Sequence, residues 1–290
     1  MNYYIGIDLG TSAMKGILTD ERGKIVRQAS ATYDVIYPQN GWTEQNPSDW
    51  IVALNKVLAE LLCVDKDCGA CGACGCATVN SQSIAKYVKG ISFGGQMHGL
   101  VALDKHGEVI RPCILWNDGR TEKQTAYLND VVGKQTLSEL TGNIAFAGFT
   151  APKLLWLREN EPENFARIDK IMLPKDYLAY YLSGVVATDY SDASGTLLLD
   201  VKNKRWSQKM ANVCGISLQN LPELHESYDV IGTVKHDVAA RFGMPDNVKV
   251  VIGAGDNAAA AIGTGTVNDG DCNVSLGTSG TIFVCQDKFS

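Results

Sequence analysis

The sequence predicts an α/β protein, and three observations carry that prediction. The phrase Leu-Gly-Thr-Ser occurs twice, at 9–12 and 276–279, each time between apolar runs. That is the pattern of strand, tight turn, strand. Two further apolar runs, at 87–93 and 249–252, end abruptly in glycine-rich segments, as buried strands do. Between them lies a helical stripe of Trp50, Ile51, Leu54, Val57, Leu58, Leu61 and Leu62. At 290 residues and 45% hydrophobic content, the chain can bury a real core in one large or two medium domains.

Taken in order, the first hairpin turns again at Asp20 to Gly23 and enters Ile25-Val26, which makes an antiparallel meander. A polar loop around Trp42 leads to Asn46-Pro47, where Pro47 opens the helix that carries the apolar stripe. A strand at 87–93 runs into Gly94-Gly95-Gln96-Met97-His98-Gly99 and then a strand at 100–103. Ile114-Leu115-Trp116 ends another apolar run in Asn117, Asp118 and Arg120. Helices are expected at 122–132, 136–141, 153–160, 173 to about 184, 206–214 and 237–242, with a polar loop at 188–196 on the rim of a cleft. The strand at 249–252 enters Gly253-Ala254-Gly255-Asp256-Asn257-Ala258, which fits G-x-G-x-x-A. The dinucleotide reading is set aside. Gly263 breaks the helix early, no strand ending in an acidic residue follows, and Asp256 would repel a pyrophosphate.

A net charge of −6 without a long basic run argues against nucleic acid or an anionic membrane as main partner. No apolar stretch reaches the ~20 residues of a membrane span. The N-terminus puts Asp8 into its first apolar run and lacks a basic region, unlike a signal peptide, so the cytoplasm is the expected location. Of nine cysteines, Cys63, Cys113, Cys214, Cys272 and Cys285 are scattered and read as reduced core thiols. Cys68, Cys71, Cys74 and Cys76 crowd into a Gly/Ala-rich stretch that is either a surface insertion over 63–80 or a metal site.

Several residues are candidates for chemistry. Gly10 and Gly277 can take positive φ and let a ligand approach the backbone. Thr11, Ser12, Thr278 and Ser279 add hydroxyl donors beside freed N–H groups, which suits phosphate oxygens; ordinary hairpins are the alternative. Met97 and His98 stand at a strand end, where α/β folds bind ligands, although a purely structural histidine is equally open. Asp256, at a helix N-terminus, is expected to stay ionised and to serve as general base, or else merely to cap the helix.

Together these motifs resemble the FGGY carbohydrate kinases. The residues that carry the likeness are Asp8-Leu9-Gly10-Thr11-Ser12, Gln96-Met97-His98-Gly99, Trp116-Asn117-Asp118-x-Arg120, Gly148-Phe149-Thr150-x-x-Lys153, Leu173-Pro174-Lys175-Asp176-Tyr177-Leu178, Gly253-x-Gly255-Asp256-Asn257 and Ser275-Leu276-Gly277-Thr278-Ser279-Gly280. The resemblance implies two actin-like, ribonuclease H-like domains around a cleft, with ATP and Mg²⁺ as cofactors and a small-molecule sugar as substrate, a ketopentose such as D-xylulose. It implies that Gly10, Thr11, Ser12, Gly277, Thr278 and Ser279 approach the ATP phosphates and that Asp8 organises Mg²⁺. Asp256 would take the proton from the sugar hydroxyl, and Met97, His98, Asp256 and Asn257 would line the sugar site. Residues 1–265 would form the sugar-binding domain. Residues 266–290 would begin an ATP-binding domain whose remainder family members carry further along. The cysteine-rich segment is not part of the family pattern. A kinase of another sugar or polyol and a non-catalytic nucleotide-binding module of the actin/Hsp70 type stay open as alternatives. So does assembly as a homodimer.

Overall fold

A computed structural model describes residues 1–62, 83–276 and 280–288. The cysteines at 68, 71, 74 and 76, Cys63, and the second turn at Gly277, Thr278 and Ser279 lie outside those residues.

The meander is built from β1 (Tyr3–Leu9), β2 (Ala13–Asp20) and β3 (Ile25–Thr32). Its inward positions, among them Ile5, Ile7, Leu9, Met14 and Leu18, alternate with exposed ones, as a half-buried sheet requires. After the short β4 (Glu44–Gln45), α1 (Pro47–Leu62) lays Trp50, Leu54, Val57, Leu58 and Leu61 against this sheet, with Pro47 at its first position. Then come β5 (Val88–Gly95), β6 (Val101–Leu103) and β7 (Cys113–Ile114).

The next region is helical. It contains α2 (Glu122–Ala126), α3 (Lys134–Thr141), α4 (Thr150–Asn160) and α5 (Pro162–Ala166), with a wider π-helical stretch over Tyr127–Gly133. β8 (Lys170–Met172) and α6 (Pro174–Ser183) precede β9 (Ala187–Asp189) and α7 (Tyr190–Ser194). Small elements follow: β10 (Leu199–Asp200), β11 (Arg205–Trp206), α8 (Gln208–Cys214), β12 (Glu223–His225), β13 (Val230–Thr233) and α9 (His236–Phe242). The chain then forms β14 (Lys249–Val251), β15 (Ala254–Gly255), α10 (Asp256–Gly263) and a hairpin of β16 (Cys272–Leu276) and β17 (Gly280–Val284).

One sheet organises the molecule, in the order β13-β14-β5-β1-β2-β3, with β15 also pairing β5. β1, β14 and β15 run parallel to β5; the other pairs are antiparallel. Its core gathers the sheet with α1, α6 and α9. A second core, around Leu128, Leu154, Leu157, Leu198 and Met210, unites the helical region.

Several expectations change. The stretch 188–196 is not a rim loop. It is the end of β9 followed by α7, and Thr188, Asp189 and Asp192 are fully buried. Helix α4 begins at Thr150, three residues before the apolar run, because its first turn is buried too. Residues 205–206 are strand, so the following helix starts at Gln208, where Ser207 accepts from the Met210 N–H as its cap. Cys113 and Cys214 are buried free thiols whose pKa burial pushes up to about 12, but Cys272 is exposed on the hairpin.

Candidate functional site

The site forms where parallel strands end together. Leu9 of β1 and Gly255 of β15 both pair with Gly95 of β5. The crevice at the carboxyl ends of such strands is where open α/β sheets bind ligands. Here it is a cleft of about 640 Å³, lined by Asp8, Lys15, Gly94, Asp256 and Asn257, with Asn273 and Thr281 contributed by the hairpin.

Asp8 faces Lys15 across the β1–β2 pair. Burial raises its carboxyl pKa, and the Lys15 ammonium works in the opposite direction. Asp256 is the first residue of α10, and its Oδ1 accepts from the Asn257 N–H at 2.7 Å. Its pKa is raised, first by burial and also by Asp8, against the lowering effect of the Asn257 N–H. The helix terminus therefore does not hold Asp256 at an ordinary carboxylate value; the cleft walls and a second carboxylate outweigh it.

The Gly10–Ser12 turn behaves differently from expectation. Gly10 does not take positive φ. It matters for close approach, since a Cβ there would lie 2.9 Å from the Ala13 carbonyl oxygen. The Thr11 hydroxyl points into the protein: it accepts from Trp116 Nε1 at 3.0 Å and donates to Gln96 Oε1 at 3.3 Å. Gln96 Nε2 donates to Gln45 Oε1, while Gln45 Nε2 donates to the Thr11 carbonyl at 2.7 Å. Ser12 is exposed and lacks such a tether among the described residues. The turn can thus offer backbone N–H groups and Ser12 to a ligand, with Thr11 serving as its anchor.

Met97 and His98 sit beside the cleft rather than in its lining. Met97 packs on Gly255, and Asn257 Nδ2 approaches its sulfur at 3.8 Å. His98 adopts φ 68, its Nδ1 lies 2.9 Å from the Gly195 carbonyl oxygen, and its ring packs on Phe149 at 4.7 Å. Burial, with Lys153, pushes its pKa down to about 4.

Two buried ionic clusters brace this region. Lys175 Nζ lies 2.6 Å from Asp176, 2.9 Å from Asp189 and 3.6 Å from Asp192. Burial would lower the Lys175 pKa, but the three carboxylates outweigh it and the pKa rises. Burial raises Asp192 well above the carboxylate range. Asp189 Oδ2 accepts from the Ser191 hydroxyl, whose oxygen in turn accepts from the Gly255 N–H at 3.1 Å. The cluster thereby fixes the residue before Asp256. In the second cluster Arg120 pairs with Asp118 at 2.8 Å and Glu44 at 2.6 Å, with its guanidinium 3.9 Å from the Trp42 ring centre. Asp118 Oδ2 accepts from the Thr43 N–H, tying the segment after β7 to β4.

Gln45, Lys153, Asp189 and Ser191 were not candidates on sequence. A lysine within an apolar helical run, as at 153, was the one available signal that a buried cation needed partners.

A model of the FGGY family of carbohydrate kinases, N-terminal domain, matches residues 3–263. The xylulose kinase of Lactococcus lactis is 46% identical over 290 residues, all of this chain and 54% of that protein. The xylulose kinase of Escherichia coli is 41% identical over 286 residues, 99% of this chain and 55% of that protein. The chain thus spans about half the length of the curated relatives it matches. Among solved structures, a xyloylose kinase from Brucella ovis superposes with TM-score 0.85 at 40% identity, over 98% of this chain and 54% of that one. A glycerol kinase from Plasmodium falciparum with ADP superposes with TM-score 0.86 at 25% identity, over 98% and 54%. With the model covering nearly the whole chain and the actin-like fold shared throughout, this chain belongs to the FGGY family of carbohydrate kinases.

Proposed function

We propose that the protein transfers the γ-phosphoryl group of ATP to the terminal hydroxyl of D-xylulose, giving D-xylulose 5-phosphate. Residues 1–265 form the sugar-binding domain and residues 266–290 begin the ATP-binding one. The choice of sugar is supported by identities of 38–46% to xylulose kinases over nearly the whole chain and of 40% to a xyloylose kinase of like fold. The observation that carries the chemistry is Asp256: a carboxylate at the head of α10, raised in pKa, in the same cleft as Asp8. A base is most useful when its pKa lies nearer the working pH.

Phosphoryl transfer asks the protein for position and charge stabilisation more than for covalent chemistry. Met97, His98 and Asn257 hold the sugar so that its terminal hydroxyl meets Asp256, which takes the proton as the oxygen attacks the γ-phosphorus and the bond to the β–γ bridging oxygen breaks, releasing ADP. The Gly10–Ser12 turn and its counterpart at Gly277, Thr278 and Ser279 grip the phosphates. Asp8 and Asp256 offer carboxylate oxygens to the same cleft, a donor set that fits a hard cation such as Mg²⁺. Asp8, as its main ligand, would hold Mg²⁺ there, and the ion would supply charge neutralisation at the phosphate oxygens. The setting proposed is the cytoplasm; no helix among the described residues is long and apolar enough to cross a membrane.

Replacing Asp256→Asn tests the assignment. Turnover is expected to fall by roughly 10²–10⁴-fold, with sugar binding and thermal unfolding nearly unchanged. A folded variant that turns over at the wild-type rate removes Asp256 as the base.

A further inference from the structure

His98 is the most constrained residue at the site. Its φ of 68 is the left-handed region, uncommon for a residue with a side chain and costly unless the surroundings impose it. The surroundings do so from three sides. Lys153 Nζ donates to the His98 carbonyl oxygen at 2.8 Å, and the Thr150 hydroxyl donates to the same oxygen at 3.1 Å. The imidazole is fixed by the Gly195 carbonyl and flanked by Phe149. A Cβ at 195 would lie 2.4 Å from His98 Cε1, so the ring occupies space that only a glycine at that position leaves.

Lys153 is unusual in its own right. It is completely buried, and its ammonium is bound by two carbonyl oxygens, those of His98 and of Gly148 at 2.6 Å. No carboxylate pairs with it among the described residues. The groups that face it are the Cys113 thiol and Asp118, which favour its charge, and Arg120, which opposes it. Burying a cation on backbone oxygens alone is costly, so its presence calls for a role beyond packing.

We propose that Lys153 and Thr150 are positioning residues whose grip on the His98 carbonyl fixes His98 as a neutral imidazole. In that state Nδ1–H donates to the Gly195 carbonyl and Nε2 is left as an acceptor for a sugar hydroxyl. A carbonyl oxygen can only accept, so Nδ1 must carry the proton. Nε2 has no hydrogen bond among the described residues. The Lys153 ammonium beside the ring disfavours a second proton. A site built this way recognises a hydroxyl as donor and leaves the acceptor unpaired when a substrate lacks it, which discriminates strongly. The inference rests on the reading of Met97 and His98 as sugar-lining residues.

The test uses the protein labelled with ¹⁵N-histidine; residues 1–290 hold four histidines, and the resonance lost in His98→Gln assigns His98. Long-range ¹H–¹⁵N correlation without substrate should find His98 with a protonated Nδ1 and a bare Nε2, neutral across the range where an ordinary histidine, with pKa near 6.5, titrates. Lys153→Met should let His98 protonate at higher pH than in wild type. The same variant should lower kcat/KM for D-xylulose by roughly ten- to hundredfold, mostly through KM. Thr150→Val, which removes one donor without touching the buried charge, should give a loss of roughly threefold in the same direction. An Nε2–H tautomer, or ordinary titration of His98 in wild type, overturns the proposal. So does a folded Lys153→Met protein with unchanged KM. Failure of the wild type to phosphorylate any sugar would instead defeat the proposed function, and the ring's tautomer and titration would still decide the clamp.

Discussion

Single residues decide the electrostatics of the cleft. His98 and Lys153 are both held below their ordinary pKa values, to about 4 and about 7, chiefly by burial. A base whose folded pKa is depressed contributes stability above its unfolded pKa and loses it as pH falls through the folded one. For His98 that loss runs from about 6.5 down to about 4; for Lys153 it runs from 10.5 down to about 7. Urea denaturation of wild type and Lys153→Met, compared from neutral to alkaline pH, should therefore find wild type gaining on the variant as pH rises. Parallel curves would mean that Lys153 is not desolvated. Asp8 and Asp256 were singled out in the sequence, Asp8 through the family resemblance and Asp256 as a carboxylate at a helix start, and the structure brings both to one cleft. The orientation of Thr11 was not legible. Its hydroxyl is claimed by Trp116, 105 residues away, and no local pattern encodes that partner.

At the scale of elements, the way β15 closes on β5 depends on one turn. Gly253 has φ 77, and a Cβ there would sit 1.8 Å from the Phe93 carbonyl oxygen. Gly253→Ala should cost at least about 1–3 kcal/mol, read as a lowered unfolding midpoint, and should displace α10 and Asp256 with it. The Arg120 clamp is a second case. Arg120→Met leaves the buried Asp118 without its cation, while Glu44 keeps Arg111, and a loss of about 3–5 kcal/mol in denaturant titration is expected. A loss below about 1 kcal/mol would class the pair with ordinary surface ion pairs. The meander, α1 and the run into Asp256 followed directly from periodicity and turn chemistry. Residues 188–196 misled because polar side chains in sequence imply a surface. Here they face Lys175, which turns a run of Asp and Ser into a buried cluster.

For the whole molecule, three parallel strand ends and the head of α10 bring Asp8, Asp256 and Asn257 to one cleft, with Met97 and His98 braced beside it. The fold alone does not choose the sugar. Glycerol, gluconate and xylulose kinases superpose on this chain about equally well, with TM-scores of 0.86, 0.85 and 0.84. Under the proposed function, substrate choice falls to side chains, among which Met97 and His98 are the candidates beside the cleft. ATP consumption by the intact protein, measured against a panel of D-xylulose, glycerol, gluconate and other sugars, tests the central claim most directly. The expected result is ATP-dependent turnover with the highest kcat/KM for D-xylulose and a product phosphorylated at its terminal hydroxyl. A folded protein that consumes ATP with another member of the panel but not with D-xylulose, or with none of them, would contradict it.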